Sequence, residues 1–159
     1  MSKILVFAFI VIFIENAIAF EPDLSASLSI ENGTVEFYII NNGKQPVCIN
    51  SDLPWSAIGS YAHNIGYPVA LSFFDNNGAI LSTVKTQYYW VRKNQYFDLS
   101  PSNFIGFVHK ITDVINSSGI KSSGDYFLMV TYEDKHAPEG CYKGRIKSEA
   151  TPFQYQAIE

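Results

Sequence analysis

The sequence predicts an all-β fold, an antiparallel β-sandwich of about seven to nine strands. Short runs rich in β-branched and aromatic residues recur along the chain, as is typical of strands. Turn pairs such as Asn32-Gly33 and Asn77-Gly78 separate these runs, and their residues accept the positive φ angles of tight hairpins. Helical periodicity is scarce, and only residues 112–115 are expected to form a single helical turn.

The first 19 residues have the layout of a secretory signal peptide. Lys3 precedes the apolar run 4–14, which is shorter than the roughly 20 residues that a spanning helix needs. Ala17-Ile18-Ala19 then supplies a small-residue cleavage pattern, so a retained membrane helix is the weaker alternative. We therefore expect residues 1–19 to be removed. Residues 20–159 would form a single secreted or periplasmic domain without a transmembrane anchor.

The strands are expected in sequence along this domain. In 24–30, apolar residues alternate with serines, which indicates a strand with one face in water. The run 34–40 directly follows Asn32-Gly33, so the two strands should form a hairpin. Further strands are expected at 47–49, 69–74, 79–84, 87–92, 104–111, 126–132 and 153–157. Their uneven lengths and irregular connections favour a sandwich over a barrel.

Two cysteines, Cys48 and Cys141, are the only ones in the chain. Cysteines of an exported domain most simply pair, so a disulfide is predicted, and two buried free thiols are the alternative. The sequence has no Cys-x-x-Cys motif, and His63, His109 and His136 lack the spacing of zinc ligands. We expect no metal or cofactor.

The net charge of −4 limits the classes of partner. A mildly acidic chain without basic runs argues against a nucleic-acid partner and against docking on an anionic membrane.

Binding residues are expected first in the connection 53–67. It is long for a loop, and long loops at a sandwich end often carry function. Trp55, Tyr61, His63 and Tyr67 are its candidate contacts, because Trp and Tyr make good anchors at interfaces. The alternative for Trp55 is that it closes the end of the core.

A second aromatic group contains Tyr89 and Trp90, next to Tyr88. Neighbours on a strand point to opposite faces, so only part of this group can be buried. An exposed row of rings would suit a sugar or a protein partner, and ordinary core packing is the alternative.

Asn32 and Asn116 each begin an Asn-x-Ser/Thr acceptor pattern for N-glycosylation, which applies if the source is eukaryotic.

Segment 124–132 places Gly-x-Tyr before a long alternating strand, and Tyr126 could return its hydroxyl to the backbone, as at the corner of immunoglobulin-like sandwiches. Together with segments 41–55, 71–81 and 97–104, this layout resembles small immunoglobulin-like domains of secreted accessory proteins. These include proteinase-inhibitor-like domains and non-catalytic domains of some exported metallopeptidases. The resemblance implies an immunoglobulin-like fold, and no binding residue is carried over from it.

The sequence therefore favours an exported, non-catalytic binding module that recognises a protein through loops at a sandwich end, with proteinase inhibition as one form. A carbohydrate-binding module is an alternative. A secreted hydrolase with a dispersed acid pair is another, although no Gly-x-Ser-x-Gly or Ser-x-x-Lys motif is present. An assembly role, in which an edge strand is shared with a partner, also stays open.

Overall fold

The computed structural model describes residues 22–51, 53, 55–57, 68–81 and 96–157. These residues form ten strands and one helix, so the predicted all-β class is confirmed. The strands are β1 (Leu24–Glu31), β2 (Thr34–Asn41), β3 (Val47–Asn50), β4 (Trp55–Ala57), β5 (Val69–Phe74), β6 (Tyr96–Leu99), β7 (Phe104–Lys110), β8 (Gly124–Glu133), β9 (Arg145–Lys147) and β10 (Thr151–Tyr155). The helix, α1 (Ile111–Ser118), lies between β7 and β8. The predicted signal peptide, 1–19, lies outside the described residues.

Two sheets pack face to face around one apolar core. The first has the strand order β1-β2-β7, and the second has the order β10-β8-β5-β4 with β9 also on β8. A two-stranded ribbon, β3-β6, completes the described strands. Alternate residues of β2, β5 and β8 point into the core, as the period-2 pattern predicts. The largest fully buried side chains include Phe37, Phe73 and Tyr132.

The turn between β1 and β2 has the predicted tight geometry. Glu31 pairs with Thr34, which leaves a two-residue loop. Asn32 has a φ of 50° and Gly33 a φ of 75°. Positive φ at both central residues is the requirement of a type I′ turn, whose twist matches that of the flanking strands.

Helix α1 is longer than the single turn predicted for 112–115. Ile111, Val114 and Ile115 have helical spacing, and the last two are fully buried. The helix contacts β2, β4 and β7. It ends at Ser118 and is capped by Gly119, whose φ of 76° is the left-handed conformation that stops a helix.

The strand predictions need correction at several places. The described part of 79–84 forms no strand, because the Asp75 carboxylate accepts the amides of Asn77 and Ala79 and closes a turn there. Only Ile80 then makes a bridge. Residues 82–84 and the predicted strand 87–92 lie outside the described residues. The prediction also omitted β6 and β9, which are too short to show alternation, and their pairing partners are distant in sequence.

The predicted corner at Tyr126 is present. Its ring is buried beside Phe153, and its hydroxyl donates to the Ser122 carbonyl oxygen over 2.9 Å. The Ser122 hydroxyl lies 3.0 Å from the same oxygen atom of Tyr126. These contacts anchor the segment that leads from α1 to the start of β8.

The predicted disulfide between Cys48 and Cys141 is confirmed, with a Cα–Cα distance of 4.5 Å. It joins β3 to the connection between β8 and β9. Beside it, the Tyr142 amide donates to the Cys48 carbonyl oxygen over 2.9 Å. The ribbon and this connection are therefore held together by a covalent bond and a backbone hydrogen bond.

Replacing both cysteines by alanine should lower the free energy of unfolding by about 4–5 kcal/mol in the chain-entropy model. The reason is that the bond closes a loop between residues 93 positions apart. Urea unfolding measures the difference. Reductant should bring the wild type to the same midpoint and leave the double variant unchanged. Two titratable thiols in the folded wild type would contradict the prediction.

Tyr126→Phe should lower the free energy of unfolding by about 0.5–1.5 kcal/mol, because the Ser122 carbonyl loses its donor. Thermal and urea unfolding test this. Tyr155→Phe is the matched control, since it removes a hydroxyl from the paired strand β10. If the free energy of unfolding falls equally in the two variants, the hydrogen bond from Tyr126 to Ser122 contributes no specific stabilisation.

Candidate functional site

One end of the sandwich brings together the described ends of several connections. There β8 ends at Glu133 and β5 begins at Val69, and the Glu133 amide donates to the Pro68 carbonyl oxygen over 2.7 Å. The disulfide lies at this end. We call it the disulfide end and define it by residues 48–51, 68–69, 96–97 and 132–144.

Trp55, predicted to lie in a loop, instead begins strand β4. Its backbone pairs in parallel with Val69, which pairs with Tyr132. Strands lie about 4.8 Å apart, so the backbone of Trp55 is about 10 Å from that of Tyr132. The uninterrupted loop 53–67 is thus corrected to a connection that contains a short strand. Parallel strands are not joined by a tight hairpin turn, so no turn motif in the sequence indicated that β4 pairs with β5.

The other predicted binding residues, Tyr61, His63, Tyr67, Tyr89 and Trp90, lie outside the described residues. Their segments nevertheless join described residues of the disulfide end. In sequence, the first segment is followed by Pro68, and the second is followed by Tyr96 at the start of β6.

A buried polar cluster lies within the disulfide end. We call it the Asp134 cluster and define it as Asp134, Asn50, Tyr96 and Tyr132. Asp134 is only 3% exposed, and its Oδ2 accepts hydrogen bonds from Asn50 Nδ2 at 3.0 Å and from Tyr96 Oη at 2.8 Å. Its Oδ1 accepts the amide of His136 at 3.1 Å. The Asn50 amide donates to Tyr132 Oη over 3.3 Å.

Asp134 lies just beyond the end of β8, in a connection where a carboxylate would ordinarily be exposed to solvent, yet it is buried. Asn50 and Tyr96 lie 84 and 38 positions away from it, so no local pattern could have indicated the cluster. A buried carboxylate requires such partners, because an unpaired charge in the interior is strongly disfavoured.

Tyr132 and Tyr142 pack against each other next to the disulfide. Their rings stack with centroids 6.3 Å apart and planes at 26°. Burial, and to a lesser extent the negative charge of Asp134, raises the pKa of Tyr132 far above its ordinary value. Its hydroxyl therefore remains neutral. Gly144 packs under the Tyr142 ring, where a Cβ would collide with the phenol.

Glu133 is the charged group next to the cluster, but it faces the other way because neighbours on a strand alternate. Its Oε2 accepts Arg145 Nη2 at 2.6 Å, and its Oε1 lies 3.6 Å from Lys135 Nζ. Partial burial acts to raise the pKa of Glu133, but the hydrogen bond and charge of Arg145, with Lys135, lower it overall.

The hydrogen-bonding capacity of Asp134 is used by neighbouring groups. The Asp134 carboxylate already accepts three hydrogen bonds from groups of the chain itself. Across the described ranges, no group of three His, Cys, Asp or Glu residues is placed to hold a metal ion. No described helix is long and apolar enough to cross a membrane.

The two glycosylation patterns lie elsewhere. Asn32 is exposed in the turn between β1 and β2, and Asn116 is exposed on α1. The Ile111 amide donates to the Gly33 carbonyl oxygen over 2.8 Å, which places the turn beside the start of the helix.

Comparison with known proteins does not assign a family. No family model matches the chain, and no curated protein matches it significantly.

Glu133→Gln should lower the free energy of unfolding at neutral pH by less than about 1 kcal/mol, because the ion pair is partly exposed. The folded-state pKa of Glu133 lies below its ordinary value of 4.5. The stabilisation is therefore present above about pH 4.5 and is lost as the pH falls through the folded-state pKa.

Melting temperatures of the wild type and this variant should consequently differ at neutral pH and converge in acid. Arg145→Gln, which removes the partner, should reproduce the pattern. A difference that persists unchanged in strong acid, where Glu133 is protonated in both states, would contradict the assignment.

Proposed function

We propose that the protein is an exported, non-catalytic module that binds a protein partner through the disulfide end. The observation that carries this proposal is the fixing of that end by the Cys48–Cys141 bond and the Asp134 cluster. A surface that is held in one geometry before binding loses less conformational entropy when it binds. Rigid loops on a sandwich are a recurrent basis of protein recognition.

We further propose that the sandwich is immunoglobulin-like. The strand order β1-β2-β7 corresponds to strands A, B and E of that fold, and β10-β8-β5 corresponds to G, F and C. The position of Tyr126 near the start of β8 fits the tyrosine corner on strand F. By this correspondence, the disulfide joins the B–C connection to the F–G connection. In variable domains, these two connections take part in binding.

The disulfide and the predicted signal peptide both support export. Disulfides persist in oxidising compartments outside the cytosol. The domain would therefore meet its partner in the periplasm or outside the cell.

Proteinase inhibition is the form of binding that the proposal favours. It rests on the resemblance to inhibitor-like domains and on the preorganised end, because inhibitors bind tightly with little movement of their backbone. The carbohydrate alternative rests on Tyr89 and Trp90 and stays a prediction. The hydrolase alternative gains nothing from Asp134, whose carboxylate is buried and already hydrogen-bonded.

The test uses the exported protein against papain, trypsin and thermolysin as representative cysteine, serine and zinc proteinases. We expect inhibition of at least one, with a Kd below about 1 μM. Trp55→Ala combined with Tyr61→Ala, in the connection that joins Ser51 to Pro68 of the disulfide end, should weaken binding by at least about tenfold, because Trp and Tyr are typical anchors at interfaces.

Phe104→Ala is the control variant, because Phe104 is 64% exposed on the outer face of the β1-β2-β7 sheet. It should leave inhibition unchanged. The melting temperature of every variant is measured first, so that unfolding is separated from lost contact. If the wild type binds none of the three proteinases, the proposal of proteinase inhibition is wrong. If binding is weakened only in Phe104→Ala, the binding surface lies on the β1-β2-β7 sheet instead.

A further inference from the structure

Asp134 accepts hydrogen bonds from residues at the ends of three connections at the disulfide end. Asn50 is the last residue of β3, immediately before the segment that leads to Trp55. Tyr96 is the first residue of β6, immediately after the segment that contains Tyr89 and Trp90. The His136 amide belongs to the third connection, between β8 and β9.

The three bonds come from different kinds of donor and fix different parts of the chain. The Asn50 side chain is fully buried, and its own backbone amide is held by Tyr132. The Tyr96 bond, at 2.8 Å, reaches across from the other strand of the ribbon. The disulfide ties β3 to the third connection but does not restrain β6 directly, whereas Asp134 binds both strands of the ribbon.

A buried carboxylate among neutral donors is a poor choice for stability alone. Desolvating the charge is unfavourable, and apolar side chains of similar volume often give equal or greater stability. Hydrogen bonds to a charged acceptor are, however, stronger and more directional than those between neutral groups. Such a group therefore serves to specify one arrangement of the segments that it joins.

We propose that Asp134 is the positioning residue of the binding surface, setting the ribbon β3-β6 and the β8–β9 connection in the geometry that a partner meets. The inference rests on the proposed function, because it assigns a role within the same surface. It adds a buried residue that contacts no partner itself.

The first experiment needs no partner. Amide hydrogen exchange of the exported protein is followed by NMR in the wild type, Asp134→Asn and Tyr96→Phe. Loss of a charge-assisted bond should speed exchange by at least about tenfold at the residues it holds. Asp134→Asn should show this at Asn50, at His136 and in β6, while β2 stays unchanged. Tyr96→Phe should show it in β6 alone.

Two control variants separate positioning from general destabilisation. Asp125→Asn makes the same chemical change on an exposed residue of β8 away from the disulfide end. Phe153→Leu loosens the core beside Tyr126 and Phe73 and lowers global stability. Neither should alter exchange selectively at Asn50, His136 and β6. If Asp134→Asn does not fold, Tyr96→Phe decides the question, because it removes a single hydroxyl.

A uniform rise in exchange, no rise, or the same local pattern in Phe153→Leu would overturn the proposal. The second experiment repeats the proteinase panel with Asp134→Asn and Phe153→Leu. The positioning role requires at least a tenfold weaker Kd in the first variant only. If the wild type binds none of the panel, the inhibitor form of the proposed function fails, while the exchange pattern still decides whether Asp134 positions the disulfide end.

Discussion

The Cys48–Cys141 bond is the constraint on which the disulfide end depends. Within the described part of the chain, β3 pairs only with β6, so no ladder of backbone hydrogen bonds fastens this ribbon to either main sheet. The ribbon packs on the core through three buried side chains, those of Val47, Ile49 and Leu99, but apolar contacts are not directional. Directional links come from the covalent bond, from the adjacent Tyr142 amide, and from Asn41 Nδ2 of β2, which donates to the Leu99 carbonyl oxygen over 2.8 Å. The Asp134 cluster can then form, because its members are already close.

Those features that depend on local pattern were predictable from the sequence. Alternation in 24–30 and 34–40 predicts β1 and β2, and Asn32-Gly33 predicts their turn, because side-chain period and positive φ are properties of a few neighbouring residues. The corner at Tyr126 was recognisable for the same reason. The disulfide could be predicted because a chain with two cysteines offers a single intramolecular pairing.

The features that were missed depend on residues far apart in the chain. A three-residue strand such as β4 or β9 shows no period, and its pairing is determined by the strand that it meets. Asp134 can be buried because Asn50 and Tyr96 donate hydrogen bonds to it, and no sequence motif identifies either residue as its partner. At the candidate site, the pairing of the two cysteines could therefore be predicted, while the binding role of the connection 53–67 stays a prediction. The organising carboxylate of the site could not be predicted.

The edge of the second sheet bears on how a partner could engage the domain. β9 and β10 follow one another along β8, and between them Ser148 Oγ accepts the Val130 amide in place of a backbone carbonyl. This interrupts the regular ladder. Pro152 in β10 has no amide hydrogen to offer an incoming strand. A partner that added a strand here would meet an irregular edge with donors missing, which disfavours assembly by strand addition at this edge. Recognition through the connections of the disulfide end does not need such an edge, because side chains and loop backbone supply the contacts.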